Sequence, residues 1–278
     1  MAKENLVILH GQIIKPVQVY STTNGDLFKG QFAMQVIRRP RTSSGEFTTN
    51  IKFDCPVVMT RNEDLIKQMA QFKQGDMVDV RGVLSTREVI RSAICPHCNK
   101  ENKWPGNAVY ITPIYMCRRE QEISNEEAMK LLKERSEISN LCMLIGTLCR
   151  DVSYYKDEKK RSYAEYQLAV NRKYRIIEDP ETTKTDYPWI KVFGKQALKD
   201  TECLSTNSTV YISGAIQTRE IDKTNVCEFC GGKYKLEDEK ATEIVPYSTE
   251  YLANCKEPEV EEELLSSELE VVPNEEEA

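Results

Sequence analysis

The chain has 278 residues, with 38 Lys+Arg against 44 Asp+Glu and a net charge of −6. No apolar run approaches the roughly 18 residues of a membrane-spanning helix, and residues 1–5 lead straight into an apolar strand with no signal-peptide layout. Ten cysteines without an export signal read as reduced thiols and metal ligands rather than a disulfide framework. The charge is unevenly spread. Residues 256–278 hold ten Glu and one Lys, a balance of −9, which leaves 37 Lys+Arg against 34 Asp+Glu, or +3, in residues 1–255. A mildly basic body with an acidic tail is compatible with nucleic-acid binding but does not establish it.

Taken in chain order, residues 5–13 predict a strand, with Gly11 marking a bulge or bend. Residues 21–26 are turn-forming. Phe28, Phe32, Met34 and Val36 alternate with polar or small residues, the pattern of a half-buried strand. A basic cluster at Arg38, Arg39 and Arg41 leads into a polar loop, and residues 48–58 predict a third strand. Asn62 caps a short helix over 63–72, and Gln74-Gly75-Asp76 turns into a strand over 77–84. A polar loop over 99–107 and a last strand over 108–116 complete the first unit. Ser124 to Glu127 fits a capping box for a helix over 125–137, either a solvated spacer or a docking helix between units.

The same plan then recurs. Gly82, Thr86, Arg87, Glu88, Cys95 and Cys98 reappear as Gly214, Thr218, Arg219, Glu220, Cys227 and Cys230 at a constant offset of 132 residues. Strand, strand, strand, helix, strand, strand is the order of the OB-fold, a five-stranded Greek-key barrel that commonly binds oligonucleotides. The expected architecture is therefore all-β with short helices. It comprises a first OB-fold over 1–119, a linker helix over 120–139, a second OB-fold over 140–255 and a disordered acidic tail over 256–278.

The second unit resembles the bacterial-type single-stranded-DNA-binding protein family. The likeness is carried by Asn140-Leu141-x-x-Leu144-x-Gly146, Tyr166-x-Leu168-Ala169-Val170-x-Arg172-x-Tyr174, residues 189–197 (WIKVFGKQA) and Tyr211-Ile212-Ser213-Gly214 with Thr218-Arg219. Three departures are Val89 and Ile221, which stand where that family has an aromatic after its fourth strand, the CxxC pairs, which the family lacks, and the tail ending at residues 272–278 (VPNEEEA), without the family's acidic-Pro-Phe tip. The resemblance implies a non-enzymatic binder that protects single-stranded DNA during replication or recombination. It also implies an assembly with four OB-folds, hence a homodimer of this chain, and replication or recombination proteins as partners of the acidic tail. Localisation would be cytoplasmic, in a bacterium, a phage-infected cell or a mobile-element host.

Sequence-tolerant binding needs aromatic faces for bases and cations for phosphates. By resemblance, Tyr174, Tyr187 and Phe193 stack bases while Arg172, Lys173 and Arg175 follow the backbone. Tyr154, Tyr155 and Lys160 mix aromatics and cations in the first loop of the second unit. Arg38, Arg39, Arg41 and Phe47 occupy the comparable region of the first, and Trp104 follows its CxxC. Plain packing roles compete for several of these: Phe193 as core, and Trp104 as a residue packed beside a metal knuckle.

Each CxxC supplies two thiolates where zinc takes four ligands. Cys95, Cys98, Cys227 and Cys230 make one shared zinc site if the two hairpins meet. The alternative is one site per unit, completed by Cys117 or Cys255 and, in the first unit, His97. An enzyme is not expected, with histidines only at 10 and 97 and no phosphate-cradling Gly-rich loop. Rival readings are an OB-fold scaffold subunit of a replication complex and a single-stranded-RNA binder.

Overall fold

The computed structural model describes residues 2–39, 50–156, 162–173, 176, 185–236 and 239–256. The first unit contains β1 (Glu4–Ile13), β2 (Gln18–Ser21), β3 (Leu27–Arg38), β4 (Lys52–Asp54), β5 (Val57–Thr60), α1 (Glu63–Met69), β6 (Met77–Ile94) and β7 (Glu101–Glu120). After α2 (Asn125–Glu134) come β8 (Asn140–Leu148), β9 (Ser153–Lys156), β10 (Ser162–Asn171), β11 (Thr185–Asp186), β12 (Trp189–Phe193), α3 (Gly194–Cys203), β13 (Thr209–Glu220), β14 (Lys223–Val226), β15 (Lys233–Leu236) and β16 (Lys240–Ala253). The fold is mostly β with short helices, as the sequence pattern predicts. The expected tail disorder falls at 257–278, outside the described residues.

One continuous sheet path runs β10-β12-β16-β13-β8-β1-β6-β7-β5-β3, and it reads the same from either end when the units are exchanged. Each unit closes on itself through β1–β3 or β8–β10. Closure needs tight backbone contact: a Cβ on Gly11 would lie 2.4 Å from the Gln35 carbonyl oxygen. The repeated Gly11 and Gly146 are thus explained by close approach rather than by a turn. Alternating side chains fill both interiors. Leu9, Met34, Val36 and Val80 are fully buried in the first barrel, as are Leu144, Tyr166, Leu168 and Ile212 in the second.

The units meet edge to edge. β1 and β8 pair antiparallel from Glu4↔Ile145 to Leu9↔Asn140, and Val7 pairs with its own equivalent in the repeat, Cys142, so a pseudo-two-fold axis passes through that pair. A second, polar clasp follows the same symmetry. The buried Asp54 binds Arg38 in its own unit at 2.8 Å and accepts the Thr218 N–H of the other unit at 2.7 Å. Buried Asp186 binds Arg172 at 2.6 Å and accepts the Thr86 N–H at 2.8 Å. The threonine hydroxyls accept in return, from the N–H of Cys55 and of Tyr187. Thr86 and Thr218, two of the repeated residues, therefore tie the barrels together.

Two expectations need correction. Residues 99–107 are not simply a polar loop: β6 and β7 stay paired from Met77↔Glu120 to Ile94↔Glu101, a hairpin arm reaching well past the barrel. Its outer part carries Ile90 and Ile94 exposed to solvent, so apolar alternation does not announce it. The linker helix, open between spacer and docking helix in sequence, packs on the first barrel. Ala128 and Leu132 are buried against Ile37 and Met77, behind the expected Ser124–Glu127 capping box.

Candidate nucleic-acid interface and metal knuckle

The outer surfaces of the two barrels differ in chemistry at matching positions. On the second barrel, β10 and β12 set Tyr163 opposite Phe193 and Glu165 opposite Lys191. Tyr155 from β9 stacks on Tyr163 with centroids 4.9 Å apart, and Phe193 lies 6.5 Å from Tyr163. The Lys191 ammonium sits 4.4 Å over the Tyr163 ring. Tyr187 and Phe193 are each 48% exposed, so both aromatic faces are available to a ligand. Beside them an open groove of about 610 Å³ runs between the units, bordered by Arg87 and Asn107 on one side and by Arg150, Tyr187 and Trp189 on the other. Arg150 lies over the Trp189 ring at 5.1 Å.

The sequence candidates separate into groups. Tyr155, Tyr187 and Phe193 share this exposed face. Tyr154 is half-buried and packs on the barrel core. Arg38 and Arg172 are at most 9% exposed, with their guanidinium groups spent on Asp54 and Asp186. Arg39 is half-buried, and Lys173 is exposed and reaches Glu4 at 3.4 Å. Trp104 packs beside the cysteines with Tyr234 and Leu236. Arg41, Phe47, Lys160, Tyr174 and Arg175 lie outside the described residues. Sequence reasoning passed over Tyr163, Trp189, Arg87 and Arg150 as contact residues. The alternation along β10 and β12, with Tyr166 and Ile190 inward, was the signal that places Tyr163 and Trp189 outward.

At the far end of the arms the four CxxC thiols converge. All lie within 4.8 Å of one another, with Cys95 Sγ 3.8 Å from Cys230 and Cys98 Sγ 3.6 Å from Cys227. Pairs thus form across the units, far beyond the roughly 2.05 Å of a disulfide. Each knuckle is the same turn: the Asn99 N–H bonds the Cys95 carbonyl and the Gly231 N–H bonds the Cys227 carbonyl. Asn99 and Gly231, equivalent positions, both take positive φ, at 55° and 69°. The knuckles are cross-braced. The Asn102 amide donates to Cys227 Sγ at 3.4 Å and accepts the Glu228 N–H at 2.9 Å, and an Arg91–Glu239 ion pair joins the arms.

Burial opposes ionisation of Cys227, but the Phe229 N–H and the Asn102 amide bring its thiol down to about 6. For Cys230 the Gly232 N–H favours the thiolate, yet the bonds shared with Cys227, Cys98 and Cys95, together with burial, outweigh it and the thiol stands at about 12. Four thiols that share protons in this way form a donor set for a soft, tetrahedral cation. The one-site-per-unit alternative is not what forms: Cys117 and Cys255 are not in the cluster, and His97 faces the Lys233 carbonyl at 3.1 Å.

Comparison with known proteins agrees with this architecture. Residues 139–244 match the model of the single-strand binding protein family. Among solved structures, a deletion mutant of the single-stranded DNA binding protein from Thermus aquaticus is similar over 93% of this chain and 100% of its own, with TM-score 0.58 and 15% identity. The wild-type form of that protein is similar over 91% and 95%, with TM-score 0.55 and 14% identity. At such identity the structural likeness speaks for the fold, and it spans both barrels. The match to the single-strand binding protein family falls on the second barrel.

Proposed function

We propose that the chain binds and protects single-stranded DNA, largely independently of sequence, without catalysing a reaction. The observation that carries this is the aromatic row Tyr155, Tyr163 and Phe193, exposed at Tyr155 and Phe193 with Tyr163 half-buried between them, and with Tyr187 and Trp189 at its side, on the barrel that matches the family. Flat rings accept any base by stacking, and Arg150 and Arg87 stand where phosphates between stacked bases pass. The compact units are residues 1–119 and 140–255, linked through α2. The setting is replication or recombination, in the bacterial cytoplasm or nucleoid or in a phage or mobile-element context. Two chains supply four OB-folds, and the acidic tail over 256–278 recruits partner proteins. Tyr174 and Arg175, which lie outside the described residues, are proposed as a further base contact and a further phosphate contact.

The four-thiolate cluster holds zinc. A tetrahedron with Zn–S bonds of about 2.3 Å has sulfur–sulfur edges of about 3.8 Å, against the observed 3.6 and 3.8 Å. The metal would be structural, since all four positions are protein thiolates, and it would fix one hairpin arm against the other.

The stacking surface is tested by Tyr187→Ala with Phe193→Ala. Each stacked base is worth about 1–3 kcal/mol, so the double variant binds an oligodeoxythymidine at least tenfold more weakly. Unchanged affinity would remove this surface from the reading.

A further inference from the structure

The two barrel faces are built from the same positions but carry different charge. The strand registers fix the correspondence. Gly30↔Thr60 and Val58↔Ile111 in the first unit match Ala164↔Val192 and Ile190↔Ile244 in the second. Lys29 and Arg61 thus stand where the second barrel has Tyr163 and Phe193. Gln31 and Met59 replace Glu165 and Lys191, Tyr110 replaces Glu243, and Arg87 matches Arg219.

On the second barrel every one of these cations is answered. Lys191 binds Glu165, and Arg219 binds Glu243 through Nη2 and Nε, at 2.8 and 3.1 Å. Two cations against two carboxylates leave that face neutral. On the first barrel the acids are missing, and Lys29, Arg61 and Arg87 make no ion pair among the described residues. Lys29 instead lies 5.0 Å over the Tyr20 ring, and Phe28 is 6.2 Å from Tyr20. Partial burial lowers the Lys29 ammonium from its ordinary value, and Arg61 and Arg87 lower it further.

We propose that the first barrel's face is the phosphate-holding surface of this protein, with Lys29, Arg61 and Arg87 as its contacts, while the second barrel's face holds bases. This deepens the single-strand reading and rests on it. Three uncompensated cations repel one another in the free protein, so a polyanion binding there relieves repulsion as well as gaining attraction. A strand crossing from one face to the other passes Arg87, which borders the groove between the units. Salt dependence then belongs mainly to the barrel with the weaker family resemblance.

The test is a fluorescence-anisotropy titration of the full chain with a labelled oligodeoxythymidine across a sodium chloride series. Each phosphate neutralised on a single strand contributes about 0.7 to the slope of log K against log salt. Lys29→Gln with Arg61→Gln and Arg87→Gln therefore makes the slope shallower by about 2. Tyr163→Ala with Phe193→Ala lowers affinity at every salt concentration and leaves the slope unchanged. Glu165→Gln with Glu243→Gln frees Lys191 and Arg219 and steepens the slope by up to about 1.4. An unaltered slope in the triple variant, or in the Glu165 and Glu243 variant, overturns the division of labour while single-strand binding stands. No binding by the unsubstituted chain overturns both.

Discussion

Asp186→Ala tests how the two barrels are held together. Asp186 is fully buried and accepts from Arg172 Nε at 2.6 Å, Arg172 Nη2 at 3.0 Å and the Thr86 N–H at 2.8 Å. Truncation takes the Asp186 carboxylate away from Arg172, a residue only 8% exposed. Removing one member of a buried ion pair costs about 3–5 kcal/mol. The orphaned Thr86 N–H adds about 1–3 kcal/mol unless water reaches it. The expected loss is therefore at least about 4 kcal/mol, a large share of the 5–15 kcal/mol that ordinary domains possess. Urea unfolding followed by circular dichroism measures it. Asp54→Ala, the symmetry equivalent, should cost a similar amount. Thr86→Val keeps the backbone donor and loses the acceptor of the Tyr187 N–H and a long hydroxyl bond to Asp186, so it should cost about 1–3 kcal/mol. A loss below about 1 kcal/mol for Asp186→Ala would refute the clasp as a stabilising contact.

Two further outcomes follow from the same geometry. The protein purified with zinc should contain one ion per chain rather than two, and Cys98→Ala should lose it, because the four thiolates make a single site; two ions per chain in metal analysis would contradict that. Leu132→Ala should destabilise the fold by about 2–5 kcal/mol in urea unfolding, since Leu132 is fully buried against the first barrel; a change under 0.5 kcal/mol would return α2 to the role of solvated spacer.

The barrel order was legible because inward positions alternate cleanly along β3, β10 and β13, and because the repeat offset places the same elements twice. The shared thiolate cluster was legible as one of two arrangements, since CxxC spacing fixes a knuckle but not which knuckle it meets. Arg38 and Arg172 misread more easily. Each looks like a surface cation at a strand end, and only its pairing with an aspartate 16 or 14 residues away buries it. The role of Thr86 and Thr218 was hidden for a similar reason: their partners lie in the other unit, 100 and 164 residues away for the Asp186 and Asp54 bonds. The charge contrast between the faces was invisible for want of register. Net charge averages the free Lys29, Arg61 and Arg87 with the paired Lys191 and Arg219, and composition cannot tell a compensated cation from an available one.

The central claim is single-strand binding, and the most direct measurement is a competition titration at fixed moderate salt. A labelled single-stranded oligodeoxynucleotide is bound to the full chain and then challenged with unlabelled single-stranded DNA, duplex DNA or single-stranded RNA. The account predicts displacement by single-stranded DNA at near-equal concentration and little displacement by duplex, whose bases are already stacked and cannot reach Tyr163, Tyr187 and Phe193. Equal competition by duplex DNA, or no binding of the labelled strand at all, would contradict it.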